Sequence, residues 1–222
     1  MEGDEIVKFF KNGELPPQSH MYFVYGDGGT GKTSLFKLMP GEKKLLFSFD
    51  LSTDVLKGTD GLDVAIVQQE DMPQIQSIVE KWLSGAIGAY DTIALDNVTS
   101  LQNMVLENID GASKDGRQNY QKLQLWFRQM GTMLRQSNVN VYATAHQVDK
   151  GPEFMSGRYE ADMNIKTFNA FTSMFDVVGR LYLKDSKRVI ELDPEQGNHA
   201  KNRLDDRKLI NASELFQANQ AN

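Results

Sequence analysis

Short apolar runs alternate with amphipathic stretches along most of this chain, and the alternation predicts its architecture. Apolar runs of strand length lie at 21–25, 44–50, 64–67, 90–96 and 139–146. Helix-like stretches with apolar residues spaced three or four apart lie at 34–39, 73–83, 98–109 and 119–136. Strands that alternate with helices favour an α/β fold, with a mainly parallel sheet and helices on both of its faces.

The C-terminal third of the chain follows a different pattern. Two apolar runs, 177–183 and 188–192, follow one another closely and predict an antiparallel strand pair. The segment 147–169 is too long for an ordinary connection, so we expect a functional loop or a segment that is disordered without a partner. We predict an N-terminal segment at 1–20, one domain at 21–210 and a C-terminal tail at 211–222.

Composition narrows the class of protein. The 222 residues suffice for one substantial α/β domain, and the absence of cysteine excludes disulfides, thiolate zinc sites and cysteine nucleophiles. No apolar run has the length of a membrane span, and the first residues lack the features of a signal peptide, so we expect a soluble cytoplasmic protein. Because the net charge is −6, any contact with nucleic acid must come from a local basic patch.

The most specific motif lies between the first predicted strand and the first predicted helix. Residues 26–33 read Gly-Asp-Gly-Gly-Thr-Gly-Lys-Thr and fit the pattern G-x-x-x-x-G-K-[ST] at every fixed position. Glycines let such a loop point its backbone N–H groups at a triphosphate, beside the positive end of a helix dipole. We therefore predict that ATP binds with Mg²⁺, and the predicted contacts are Gly26, Asp27, Gly28, Gly29, Thr30, Gly31, Lys32, Thr33 and Ser34.

Polar residues also end three other predicted strands, at the edge where parallel sheets bind ligands. Lys32 is expected to reach the β- and γ-phosphates, while Thr33 and Asp96 hold Mg²⁺. Asn97 follows Asp96 where some ATPases carry a glutamate, so another general base is needed, and Asp50 is the candidate. His146 is the candidate sensor that donates a hydrogen bond to the γ-phosphate. For Asp50 the alternative is a helix cap or an ordinary loop carboxylate, and for Asp96 and His146 it is a structural role at a strand end.

Three segments together resemble the RecA-like ATPases. They are the loop 26–33, the run Ile93-Ala94-Leu95-Asp96-Asn97, and Thr144-Ala145-His146-Gln147. More narrowly, the set is similar to phage-encoded AAA-type nucleotide-binding proteins, a group that includes RecA-core single-strand annealing and recombination proteins. The resemblance covers roughly residues 20–205 and implies a RecA-like P-loop NTPase core. It also implies a homo-oligomer with ATP between subunits, acting on single-stranded DNA in the host cytoplasm, with a single-strand-binding protein as a further candidate partner.

A basic element near the C-terminus carries a second resemblance. Lys201 and Arg203 stand as Lys-x-Arg, similar to the element that hexameric RecA-fold helicases of the DnaB type insert toward the neighbouring subunit's γ-phosphate. An arginine supplied in this way stabilises the charge that develops during phosphoryl transfer. The Gly-Pro continuation found in those helicases is absent here, and the alternative is a pair of ordinary surface charges.

Two loops supply candidate contacts to DNA, because they combine cations with aromatic residues that could stack on bases. The cations are Lys114, Arg117, Lys150, Arg158 and Lys166, and the aromatics are Phe154, Tyr159 and Phe168. Nearby Glu153, Glu160 and Asp162 favour the alternative of an ordinary exposed loop.

Two other classes of P-loop protein remain open. A kinase for a nucleotide or small molecule needs an arginine-rich lid, for which the C-terminal basic cluster is the one candidate. A nucleotide-gated adaptor, such as a helicase loader, would use ATP binding as a switch. A GTPase is disfavoured because the chain has no N-K-x-D element for guanine.

Overall fold

The computed structural model describes residues 9–109, 111–154, 157–194 and 197–217. Its strands are β1 Met21–Tyr25, β2 Lys44–Ser48, β3 Leu62–Ile66, β4 Thr92–Asp96, β5 Asn140–Ala145, β6 Gln147–Asp149, β7 Tyr159–Ala161, β8 Val177–Lys184, β9 Lys187–Glu191, β10 Lys201–Asn202 and β11 Leu209–Asn211. Its α-helices are α1 Lys32–Leu35, α2 Ile75–Ala86, α3 Val98–Glu107, α4 Gly116–Gln136 and α5 Ile165–Thr172.

One mixed sheet carries most of these strands, in the order β11-β9-β8-β1-β5-β4-β2-β3, with β10 beside β8. Strand β1 lies at the centre, parallel to both β5 and β8, and β4 joins β5 to β2 in the same direction. Strand β9 pairs antiparallel with β8 on one side and with β11 on the other. The predicted parallel core with an antiparallel pair near the C-terminus is confirmed.

Alternate side chains of β1 serve two separate cores, as the two-residue period of a strand requires. Phe23 and Tyr25 face a large core formed with helices α2 to α5. Tyr22 and Val24 face a smaller core that contains Leu35 of α1 and residues of the C-terminal segment. Both faces of the sheet are therefore covered, and the loop between β1 and α1 emerges at the strands' carboxyl edge.

An ion pair anchors the start of β1. The Asp176 carboxylate accepts hydrogen bonds from both terminal nitrogens of the Arg135 guanidinium, at 2.8 and 2.9 Å, and from the Met21 backbone N–H at 2.9 Å. Helix α4, the segment before β8 and the central strand are thus tied together at the edge of the sheet opposite the loop.

Several elements differ from the pattern-based expectation. The predicted helix 34–39 is one turn of α-helix followed by a 3₁₀ turn at Phe36–Leu38. The segment 147–169 contains the antiparallel hairpin β6–β7 and the start of α5, so the described part of it has its own secondary structure. Strand β11 ends at Asn211 and Leu215 is buried, so packing continues into the predicted tail. Residues 1–8 of the predicted N-terminal segment and residues 218–222 of the tail lie outside the described residues.

Within the part of the chain that the structure describes, no helix combines the length and the apolar character needed to cross a membrane.

Candidate functional site

Glycine conformation and close packing shape the loop between β1 and α1. Gly29 and Gly31 have φ angles of +76° and +100°, which side chains other than glycine rarely adopt. A side chain at Gly26 would place its Cβ 2.2 Å from the backbone oxygen of Leu181 in β8. The Thr30 hydroxyl donates to the Asp27 carbonyl at 2.8 Å and closes the turn. The loop is therefore a tight turn that needs glycine at these positions.

Lys32 begins helix α1, and its ammonium lies inside the loop. The Nζ donates to the carbonyl oxygens of Gly26 and Asp27 at 2.8 and 2.9 Å. Burial lowers the pKa of Lys32, partly offset by the carboxylates of Asp96 and Asp27. The backbone around it is fixed, because the buried Tyr142 hydroxyl donates to the Lys32 carbonyl at 2.8 Å. An anionic ligand in the cradle would give this ammonium charged oxygens in place of two neutral carbonyls.

Two hydroxyl groups hold the Asp96 carboxylate, which is 3% exposed. The Thr33 Oγ1 donates to Oδ2 at 2.7 Å, and the Thr144 hydroxyl donates to Oδ1. Burial raises the pKa of Asp96, while these two hydrogen bonds act in the opposite direction. Thr144 was not among the predicted site residues, although a polar residue within a buried strand is a signal that could have identified it.

The pair formed by Thr33 and Asp96 fits Mg²⁺. A hydroxyl and a carboxylate are hard oxygen ligands, and Mg²⁺ at such loops completes its octahedron with phosphate oxygens and water. Among the described residues there is no group of three or more His, Cys, Asp and Glu side chains that could hold a metal ion by itself. A metal here would therefore depend on the nucleotide for part of its coordination.

Asp50 and His146, from different strand ends, meet at the Asn97 side chain. The Asn97 amide Nδ2 donates to Asp50 Oδ2 and lies 3.2 Å from His146 Nε2. Asn97 is 1% exposed and lies directly after Asp96. The predicted base and the predicted sensor are thus brought together by Asn97, a residue for which the sequence predicted no contact with either of them.

A series of side-chain contacts connects the loop with the hairpin β6–β7. The Gln147 amide donates to Asp27 Oδ2 at 2.9 Å, and its carbonyl oxygen accepts from Arg180 Nε at 3.0 Å. The Arg180 guanidinium lies 3.5 Å from the centre of the Tyr159 ring. Arg180 was not predicted, and a cation within the apolar run 177–183 was the available signal.

Strand β9 also contacts the loop directly. The Arg188 Nε donates to the Thr30 carbonyl at 2.8 Å and packs where a Cβ on Gly31 would lie. This contact was not predicted, because nothing local in the sequence indicates that the hairpin β8–β9 returns to the loop. Ser34, the last predicted loop residue, is exposed on α1.

The predicted pair Lys201 and Arg203 lies away from the loop of its own subunit. Lys201 pairs with Val178, and the Arg203 N–H donates to the Asp176 carbonyl at 3.0 Å, so both lie near the beginning of β8. The Lys201 ammonium donates to the Thr172 carbonyl at 2.7 Å, and burial lowers its pKa to about 8. Arg203 is exposed, so an action on a neighbouring subunit stays a prediction.

Three of the five predicted DNA-binding cations lie beside carboxylates in the structure. Arg158 forms two hydrogen bonds of 2.8 Å with the Asp149 carboxylate, and Lys150 is paired with Glu160. Arg117 lies 3.7 Å from Asp115 at the start of α4. Lys114 and Lys166 are exposed. The structure does not gather these five cations into one cluster of contacts.

Comparison with known proteins gives one family and a related fold. A family model described as an AAA domain matches residues 18–204. Among solved structures, a KaiC-like protein from the hyperthermophilic archaeon Pyrococcus horikoshii is similar, with a TM-score of 0.50, 12% identity, and coverage of 88% of this chain and 90% of that one. A search of curated proteins found no match. At this identity the structural similarity concerns the fold, which is that of a RecA-like P-loop NTPase.

Proposed function

This chain belongs to the AAA domain family, and on that basis we propose that it binds and hydrolyses ATP at the loop 26–33. The observation that carries the proposal is the contact between Thr33 and Asp96, because it unites a phosphate-binding loop with a buried carboxylate. A loop alone would support binding. A hydroxyl and a carboxylate arranged to share one hard cation support phosphoryl transfer as well.

Different residues of the site would have different roles in hydrolysis. Lys32 would bind the β- and γ-phosphates, and Thr33 with Asp96 would hold Mg²⁺, which neutralises phosphate charge when bound. Asp50 would accept the proton of the attacking water, and His146 would donate a hydrogen bond to the γ-phosphate. Asp50 is suited to this task because its carboxylate lies at the carboxyl edge of the sheet, held by Asn97.

We further propose that the protein works as a homo-oligomer on single-stranded DNA, in phage recombination, annealing or replication in the host cytoplasm. The part of this proposal that concerns DNA is supported by a series of contacts from Asp27 through Gln147 to Arg180, whose guanidinium lies on the aromatic ring of Tyr159 in the hairpin. That hairpin carries two of the candidate DNA-binding cations, Lys150 and Arg158. DNA phosphates would compete with the carboxylates that now pair with these cations, so binding should weaken steeply with salt.

The test is ATP hydrolysis by the purified protein with and without single-stranded DNA, beside Lys32→Ala. Lys43→Ala, which removes an exposed lysine outside the loop, is the matched control. Release of free phosphate that DNA stimulates and that Lys32→Ala abolishes supports both parts of the proposal. Transfer of phosphate to an added acceptor would instead indicate a kinase. Tight ATP binding with no turnover, with or without DNA, would indicate a nucleotide-gated adaptor.

A further inference from the structure

We infer that Asn97 is a positioning residue that holds His146 in the neutral tautomer with its proton on Nδ1, while orienting the Asp50 carboxylate. The catalytic consequence rests on the proposed ATP hydrolysis, whereas the tautomer itself does not. The side-chain amide of Asn97 has three polar neighbours, Ser100, Asp50 and His146, and together they fix its orientation.

The orientation of the Asn97 amide is set by helix α3. Asn97 is the N-cap residue of that helix, and its Oδ1 accepts the Ser100 backbone N–H at 2.8 Å. A backbone N–H can only donate, so the amide oxygen must face Ser100. The amide nitrogen must then face the opposite way, toward Asp50 and His146. Exchanging the two amide atoms would place one N–H against another.

The two protons of the Asn97 amide nitrogen have two neighbours. One is Asp50 Oδ2, which as a carboxylate oxygen accepts. The other is His146 Nε2, at 3.2 Å. An imidazole nitrogen that faces an N–H donor must present its lone pair, so Nε2 carries no proton. The proton of the neutral ring is then on Nδ1.

The backbone of His146 is fixed on both sides, which limits the freedom of the ring. Its N–H donates to the Thr99 hydroxyl at 3.0 Å, and its carbonyl accepts the Asp162 N–H at 2.8 Å. With Nε2 engaged by Asn97, Nδ1–H is the one ring donor left for a phosphate oxygen. The predicted sensor role of His146 is thereby assigned to a single atom.

The first experiment is nitrogen NMR of isotope-labelled protein, at a pH where the imidazoles are neutral. The chain has three histidines, so His146→Gln identifies the resonances of His146 by their loss. Free imidazole side chains prefer the proton on Nε2. We expect the reverse here, with a pyridine-like Nε2 and a pyrrole-like Nδ1. A pyrrole-like Nε2 in the unmodified protein overturns the inference, whatever the protein hydrolyses.

Asn97→Asp sharpens this measurement. Aspartate keeps an oxygen for the Ser100 N–H but offers no donor, so Nε2 must carry the proton and the tautomer reverses. The matched control is Asn103→Asp, which makes the same change at an exposed position of the same helix and should leave the tautomer unchanged. A tautomer that is the same in Asn97→Asp as in the unmodified protein would contradict the role of Asn97.

The second experiment measures hydrolysis by Asn97→Ser. Serine retains a capping oxygen but lacks both N–H donors, and it adds no charge. Loss of positioning should lower kcat about tenfold to a hundredfold, with KM for ATP changed by less than about threefold. Thermal melting of each variant establishes that it is folded. An unchanged kcat in a folded Asn97→Ser protein overturns the positioning role, and an inactive unmodified protein overturns the proposed function while the NMR result still decides the tautomer.

Discussion

The Thr33 hydroxyl donates a hydrogen bond to the Asp96 carboxylate at 2.7 Å, across 63 residues of sequence. This contact connects the first residues of α1 with the end of β4, two strands away from β1 in the sheet. Thr144, from the strand between them, holds the other oxygen of the same carboxylate. The orientation of the Asp96 carboxylate is therefore fixed by hydrogen bonds from both α1 and β5.

Removing the Thr33 hydroxyl should affect the metal more than the fold. Thr33→Val keeps the shape of the side chain but loses one predicted Mg²⁺ ligand, so we expect hydrolysis to fall about a hundredfold and to need more Mg²⁺. A titration of the rate against Mg²⁺ measures both effects. The control is Thr144→Val, which removes the buried hydroxyl on the far oxygen and should cost about 1–3 kcal/mol of unfolding free energy. Identical Mg²⁺ requirements in Thr33→Val and the unmodified protein would contradict the metal role.

Gly26 and Gly28 should respond differently to alanine. A Cβ at Gly26 would lie 2.2 Å from the Leu181 carbonyl, whereas a Cβ at Gly28 has no atom within 4 Å. Gly26→Ala must displace β8 and should lower the unfolding free energy by about 2 kcal/mol, while Gly28→Ala should leave it nearly unchanged. Denaturant unfolding without nucleotide compares the two. Equal stability of both variants would mean that β8 does not approach the loop as described.

Loss of the Arg135 guanidinium should destabilise the domain strongly. Arg135→Met leaves the Asp176 carboxylate, which is buried, without its cationic partner. Breaking such a pair from one side costs about 3 kcal/mol. Arg128→Met removes an exposed arginine of the same helix and serves as the control in urea unfolding. A difference below about 0.5 kcal/mol between the two variants would argue against a buried ion pair.

Lys201 should make stability depend on pH. Burial lowers its pKa from 10.5 to about 8 in the folded protein, so between these values the unfolded chain binds more protons. The free energy of unfolding of the unmodified protein, minus that of Lys201→Met, should therefore rise as the pH increases from 8 to 10.5. This difference should be smallest below pH 8. Urea unfolding across that range measures the difference, with Lys187→Met, an exposed lysine, as the charge control. A difference that is constant with pH would contradict the burial of the ammonium.

Arg203 offers a test of action between subunits. Arg203→Ala should lower hydrolysis strongly while ATP binding persists, because a donor to transition-state charge is lost but the loop is intact. Arg128→Ala is the control for loss of an exposed arginine. Mixing Arg203→Ala with Lys32→Ala should restore part of the activity, since an intact loop can then meet an intact arginine from its neighbour. Unchanged turnover in Arg203→Ala would exclude the role.

Strands with a strong local pattern were predicted closely, whereas the start of the long helix α4 and the shortest strands were not. β1 lies at the predicted 21–25. Its apolar run is bounded by a polar segment before it and by glycines after it, and these limits define both ends of the strand. The start of α4 at Gly116 was missed by three residues, although Asp115 caps it by accepting the Arg117 N–H at 3.0 Å. Strands β10 and β11 have only two and three residues. Such short strands form because β8 and β9 lie beside them in the fold, which their own sequence does not indicate.

The sequence by itself determined the glycine-rich loop between β1 and α1 and the strand that ends at Asp96, because glycine conformation and apolar periodicity act over a few neighbouring residues. Only the tertiary structure decided which side chains share the site. Thr144 reaches Asp96, and Asn97 joins Asp50 to His146, because strands distant in sequence lie side by side in the sheet. That strand order follows from packing of the whole domain, which no local pattern encodes.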